Sequence, residues 1–268
     1  MIDYGGKSVL ITGGTRGIGL ATALAFGRCG GHCTLTYRWG TADEAEVREQ
    51  FQAAGAPEPL LFQADVAQPD DCRALLRELK ARGLAPEAFI SNATGALVVR
   101  DLADLTERAV LQSVRYGGWP TFEYLLRMRE TFGRPPRYVV AMSSDGPDRY
   151  SPSYDLIAAS KSVLETLCRY LSYRLRHEDV RINVLRSRAV RTESFTAVFG
   201  DGLTRFARRF DLEDFFVEPE EVARVALALC SGLLDGVRGQ VVTVDRGASF
   251  FDDLCWLYRG RESLGLEW

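Results

Sequence analysis

Tyr154 and Lys161 are residue types that can act together. A phenol hands a proton or a hydrogen bond to an oxygen gaining negative charge, and a nearby ammonium favours that charge. On a helix, seven residues turn through about 700°, only ~20° short of two full turns, so the two side chains share one face. The residue four before Lys161 is Ile157, which offers no acid. Compared with a partner at that nearer position, Tyr154 is displaced roughly 4.5 Å along the axis. Pro152, a residue favoured in first turns, predicts that Tyr154 sits near the helix start. Ser143 and Ser144 follow "VVAM" at the carboxyl end of a strand. A hydroxyl there either bonds to substrate or steadies a turn, and Ser144 is the preferred candidate. Tyr150 is a second phenol that either contacts substrate or packs in its loop.

A second cluster lies near the amino terminus. "TGGTRGIG" (12–19) stands between an apolar strand pattern and a helix pattern, where a dinucleotide pyrophosphate can meet a helix amino terminus. Gly13, Gly17 and Gly19 permit a tight turn, a close backbone approach and close helix-on-strand packing, with Thr15, Arg16 and Ile18 between them. The bland reading is a structural turn. Arg38 ends the second strand, where an Asp or Glu would bond the ribose of NAD and repel a 2′-phosphate. With Arg16 as a second cation it points to NADP(H), unless both simply reach solvent. "ADV" offers Asp65 to the adenine amino group, with Val66 beside it, and "SNATG" places Asn92, Ala93 and Gly95 under the cofactor. Either motif alone could be no more than a strand-end turn.

The elements that position these residues alternate. Strand patterns at 8–12, 32–38, "PLLFQADV", "EAFISNA", "RYVVAMSS", "VRINVL" and "GQVVTVD" are separated by helical patterns, including one stretch over 104–132 and a helix from about 152. Such alternation predicts an α/β fold, a Rossmann-like doubly wound parallel sheet with helices on both faces. No repeat or linker divides the chain, so all of 1–268 reads as one domain. Residues 186–217 break the alternation as a substrate lid or wall. The aromatic tail at 249–268, with Phe250, Phe251, Leu254, Trp256, Leu257 and Tyr258, is too apolar to stay wet. It is expected to pack on a neighbouring subunit or to cap the pocket.

Composition narrows the class. A net charge of −3 over 268 residues argues against a general nucleic-acid binder. No apolar run approaches the roughly 20 residues of a membrane span, and the first strand begins without a signal segment, so a cytoplasmic protein is expected. The six cysteines form no CxxC pair. "CGGHC" supplies too few ligands for a metal site, and buried free thiols are the simpler reading.

Taken in order, "TGGTRGIG", "ADV", "SNATG", "SS", the Tyr and Lys of one helix, "RINV" and "GQVVTVD" resemble the short-chain dehydrogenase/reductase family. The resemblance implies about seven parallel strands, an NAD(P) cofactor and a homotetramer or homodimer. Within that family a Tyr-x6-Lys spacing resembles the enoyl-acyl-carrier-protein reductase III subgroup, as do "RYSPSY" and "NATGAL", whereas carbonyl reductases usually carry Tyr-x3-Lys. It implies that Lys161 holds the nicotinamide ribose and that Thr192 bonds the cofactor beyond the sixth strand. Ser113 stands where the family often has a relay Asn, Ser187-Arg188 replaces Pro-Gly, and "DRG" replaces Asp-Gly-Gly.

The displaced phenol suits an enoyl thioester, in which hydride reaches the β-carbon while charge gathers on the remote carbonyl oxygen. The expected activity is therefore NADPH-dependent reduction of an enoyl thioester in fatty-acid or polyketide-type biosynthesis, with a ketoreductase of a specialised pathway as the alternative. A non-catalytic cofactor-binding protein is the rival from another class. Arg186, Arg188, Arg191, Arg205, Arg208 and Arg209 would help dock an acidic acyl carrier protein, or else form a solvated charged face.

Overall fold

The computed structural model of the chain describes residues 2–38, 40, 42–95, 97–209, 212–250, 258–262 and 265. Its strands are β1 (Ser8–Thr12), β2 (His32–Tyr37), β3 (Leu60–Gln63), β4 (Pro86–Ser91), β5 (Tyr138–Ser144), β6 (Arg181–Ser187) and β7 (Val241–Val244). They form one sheet in the order β3-β2-β1-β4-β5-β6-β7, every neighbouring pair parallel. The direction of winding reverses between β1 and β4, and a crevice opens there at the carboxyl ends of the strands. β1 and β5 are buried along their whole length, as unbroken apolar strands covered on both faces must be.

The helices are α1 (Gly17–Arg28), α2 (Glu44–Ala53), α3 (Pro69–Ala81), α4 (Glu107–Gly117), α5 (Pro120–Phe132), α6 (Asp155–Arg174), α7 (Glu193–Arg209) and α8 (Pro219–Leu229). Two apolar clusters flank the sheet. One joins Phe26 of α1, Phe51 of α2 and Val222 and Ala226 of α8 to Val9, Ile11 and Val140. The other joins Leu75 and Leu79 of α3, Leu125 of α5 and Leu164 of α6 to Leu10, Phe89 and Val139. Alternate strand residues thus feed opposite cores.

Three boundaries differ from the sequence reading. The stretch 104–132 is two helices, because Pro120 has no N–H to continue the ladder and the chain turns at Gly118 and Trp119 before it. The helix expected from about 152 starts at Asp155, leaving Pro152 outside it. Ser153 adopts a left-handed conformation, φ 65°, which ends the preceding loop and sets Tyr154 as the capping residue. β3 stops at Gln63, so Asp65 and Val66 lie in the following turn. Within 186–217 the chain completes β6, forms α7 with a kink at Gly200 (φ 72°), and adds a short 3-10 turn at Glu213–Phe215.

Candidate active site

The glycine turn needs its glycines. Gly13 and Gly17 have φ of 62° and 52°. A Cβ on Gly19 would stand 2.1 Å from the Gly13 carbonyl oxygen and 2.7 Å from Asn92 Nδ2, so no other residue fits. Asn92 Nδ2 donates to the carbonyls of Gly13 (2.9 Å) and Thr12 (3.2 Å), and Thr12 Oγ1 accepts from the Asn92 and Ala93 amides. Asn92 and Ala93 therefore brace the turn from β4. Thr15 is buried, and Ile18 packs against the core. No side chain caps the first turn of α1, leaving its amide groups for an anion.

Around this turn, Arg38 is exposed just beyond β2, and Arg16 lies 3.5 Å from Glu193 with both side chains largely in solvent. Asp65 accepts from the Ala67 amide at 2.9 Å and the Tyr116 hydroxyl at 3.3 Å, while Gly95 lies close against Tyr116. Val66 is half-buried against the core face of α3. Thr192 stands over Gly17, its methyl 3.4 Å from where a Cβ would lie, and its hydroxyl accepts from the Phe195 amide at the start of α7. α7 thus begins directly above the glycine turn.

The second half of the site is the head of α6. Tyr154 caps it, and its carbonyl accepts from Ala158 N at 2.9 Å, closing the first turn. Burial raises the Tyr154 phenol above its usual range, opposed by the Ser144 hydroxyl. Ser144 Oγ is buried and lacks a partner with good hydrogen-bond geometry, so its contact with the phenol is loose and leaves bonding capacity for a ligand. Ser143 is committed elsewhere, donating to Glu165 Oε1 at 2.7 Å. Lys161 is 5% exposed and donates to the Met142 carbonyl at 2.8 Å. An ammonium has three donors, so two remain after that bond. Burial lowers Lys161 to about 8, against an opposing pull from Glu165. Ile157, at the position four before the lysine, is 4% exposed and part of the core.

Beside this head lies a cavity of about 450 Å³. Its wall is Phe195, Phe199, Leu203 and Phe206 of α7 with Phe215 and Phe216, and its polar end is Asp145, Ser151 and Arg188. Arg188 lies 3.4 Å from Asp145 and donates to the Ala248 carbonyl at 2.8 Å. Burial raises the Asp145 carboxyl, and Arg188 pulls it back down.

The remaining sequence candidates take varied places. Tyr150 is 85% exposed, so it is no packing residue of this chain. Ser113 spends its hydroxyl on the Leu156 carbonyl at 2.7 Å and fastens α4 to α6. Arg191 pairs with Glu213 and Glu218, Arg208 with Glu213, and Arg186 turns inward to Glu165 and Asp148. Arg205 is exposed on α7. In the tail, Phe250 is 98% exposed, and Phe251, Leu254, Trp256 and Leu257 lie outside the described residues. Among the described residues, no helix is long and apolar enough to cross a membrane.

Sequence reasoning missed Gly146, Phe199, Glu165 and the inward turn of Arg186. A Cβ on Gly146 would fall 2.8 Å from Tyr154 Cε1. Glu165 did leave a signal, one turn beyond Lys161 on the same helix.

A family model described as enoyl-(acyl carrier protein) reductase matches residues 13–249. Versicolorin reductase 1 of Aspergillus parasiticus is 26% identical over 91% of this chain and 96% of that protein. The 1-cyclohexenylcarbonyl-CoA reductase of Streptomyces collinus is 27% identical over 90% of this chain and 86% of that protein. The solved 3-oxoacyl-(acyl-carrier protein) reductase of Brucella melitensis with bound NAD superposes with a TM-score of 0.76 at 25% identity, covering 91% of this chain and 92% of that one. A family match running from the glycine turn through β2–β7 and α7 leaves one assignment: the chain belongs to the short-chain dehydrogenase/reductase family of oxidoreductases.

Proposed function

We propose that this oxidoreductase is an NADPH-dependent reductase of 2-enoyl thioesters, acting in the cytoplasm on an acyl group carried by an acyl carrier protein in fatty-acid or polyketide-type biosynthesis. The observation that carries the reading is the head of α6, where Tyr154 caps the helix seven residues before buried Lys161 and Ile157 fills the nearer position. The nicotinamide cofactor supplies the hydride. The open first turn of α1 and the glycine cradle fit its pyrophosphate, and Arg38 with Arg16 fits a 2′-phosphate. Asp65, Val66, Asn92, Ala93, Gly95 and Thr192 line the same crevice, and Lys161 directs its remaining donors to ribose hydroxyls.

Tyr154 is a phenol that is protonated at neutral pH, and burial raises it further, so it donates a hydrogen bond to the thioester oxygen as enolate charge develops. Ser144 adds a second donor. The apolar cavity receives the acyl group, and its about 450 Å³ exceeds what a short acyl chain fills. Exposed Arg205 and Arg208 on α7 offer the carrier a basic edge.

A second reading, a ketoreductase, draws on the Ser144 hydroxyl beside Tyr154, since a serine and a phenol can polarise one carbonyl together. The test is NADPH oxidation at 340 nm with a 2-enoyl thioester and, separately, its 3-oxo counterpart. Turnover of the enoyl substrate alone supports the first reading; turnover of the 3-oxo substrate alone overturns it in favour of the second.

A further inference from the structure

We infer that Glu165 and Arg186 are positioning residues for Lys161, a buried pair that supplies the ammonium with its counter-charge and ties the Tyr154 loop to the sheet. The inference rests on the reading of Lys161 given above. Glu165 is 4% exposed and stands one turn beyond Lys161 on α6. Its carboxylate accepts three bonds, from Ser143 Oγ (2.7 Å), Arg186 Nε (3.1 Å) and Arg186 Nη2 (2.7 Å). The third nitrogen of Arg186 reaches Asp148, six residues before Tyr154 in the β5–α6 loop.

The network therefore touches each part of the catalytic head. Ser143 is the backbone neighbour of Ser144, Glu165 shares the helix of Lys161, and Asp148 belongs to the loop that delivers Tyr154. Such a cluster is a poor device for stability alone, because apolar residues of similar size usually serve as well or better. Lys161 needs it for a different reason. A buried ammonium loses its proton unless an anion stands near, and the bonds from Ser143 and Arg186 hold that anion in place. The other groups around Lys161 are neutral: the Met142 carbonyl on β5, and Cys168 on α6, whose thiol burial pushes up to about 12. α4 brings Ser113 and Gly117 to its contact with α6.

Charge arithmetic gives the pair opposite signatures. Glu165→Gln removes the anion and leaves Arg186 repelling Lys161, so the lysine loses its proton at lower pH. Arg186→Gln removes the repelling cation, so the lysine keeps its proton to higher pH. The measurement is NADPH affinity by fluorescence from pH 6 to 10, with thermal unfolding to verify the fold. In the wild type, affinity is expected to fall as pH rises through about 8. Glu165→Gln is expected to move that fall down by about one pH unit, and Arg186→Gln to move it up. Arg186→Lys, which keeps the cation, is expected to stay near wild type; if Glu165→Gln does not fold, the two Arg186 variants carry the test. A wild-type fall that neither substitution moves, or that both move in one direction, overturns the inference while leaving the role of Lys161 intact. A wild-type affinity with no dependence on pH near 8 overturns both.

Discussion

The ring of Phe199 lies stacked on the ring of Tyr154, centroids 5.9 Å apart and planes within 20°. One side chain of α7 therefore touches the proposed hydrogen-bond donor and lines the cavity. Phe195 continues the contact, 4.8 Å from Phe199 and 5.5 Å from Phe216. An acyl group long enough to enter the cavity must run along this row of rings. An aromatic contact is worth about 0.5–1.5 kcal/mol beyond its buried area, so Phe199→Ala is expected to raise KM for long or cyclic enoyl thioesters roughly 3- to 10-fold. The four-carbon substrate should change little. Equal losses across a chain-length series would show that Phe199 serves Tyr154 alone and not the acyl wall.

Gly146 gives a cleaner handle on the phenol. Its Cβ would meet Tyr154 Cε1 at 2.8 Å, Cδ1 at 2.9 Å and Ala158 Cβ at 3.0 Å. The backbone at Gly146 is not left-handed, so alanine strains nothing except this contact. Gly146→Ala is expected to swing the ring and lower kcat by about tenfold or more, because a donor displaced by a fraction of an ångström no longer meets the developing charge. NADPH affinity should hold, since the glycine turn is remote. A variant with weakened NADPH binding and unchanged kcat would contradict the placement of Tyr154.

How much of this was legible beforehand follows from what each signal depends on. The strands and the glycine turn are local: an apolar run followed by closely spaced glycines specifies both a buried parallel strand and the cradle above it. Tyr154 and Lys161 were legible as well, because two helical turns relate them. Their helix start is not legible, since the left-handed Ser153 is a conformation that serine does not announce. Glu165 and Arg186 lie 21 residues apart on a helix and a strand, and only the sheet brings them within 2.7 Å. The arginine run beyond β6 looked like one basic surface for the same reason. Burial decides that Arg186 faces inward, and no spacing rule encodes it.

Lys161→Met separates stability from function. In the folded chain Lys161 is depressed to about 8 from an ordinary 10.5. A depressed amine costs stability wherever it is charged, which is below pH 8, and the cost is relieved as pH climbs from 8 to 10.5. Methionine removes that cost, so the variant is expected to be more stable at pH 7 by about 1–3 kcal/mol, with reductase activity lost. The gain over wild type should shrink through the same pH window. Chemical denaturation at pH 7 and pH 10 checks both; a variant less stable at pH 7 would mean that the Met142 bond and the Glu165 charge outweigh desolvation.

Arg38 is the residue on which the proposed NADPH preference is tested. It stands exposed at the end of β2, beside the crevice where the ribose of a dinucleotide must lie. A guanidinium there forms charge-assisted bonds to a 2′-phosphate, whereas a carboxylate repels the phosphate and accepts from a bare 2′-hydroxyl. Such bonds contribute about 1.5–3 kcal/mol, so Arg38→Asp is expected to change the NADPH-to-NADH ratio of kcat/KM by roughly 10- to 100-fold or more toward NADH. Arg16 lies 3.5 Å from Glu193 with both side chains solvated, so its own contribution is small. Arg16→Ala should accordingly shift the ratio only several-fold. Kinetics with both cofactors, at one fixed ionic strength, measure it directly. A wild-type enzyme that prefers NADH, with Arg38→Asp unchanged, would assign Arg38 to solvent and remove the 2′-phosphate from the proposed site.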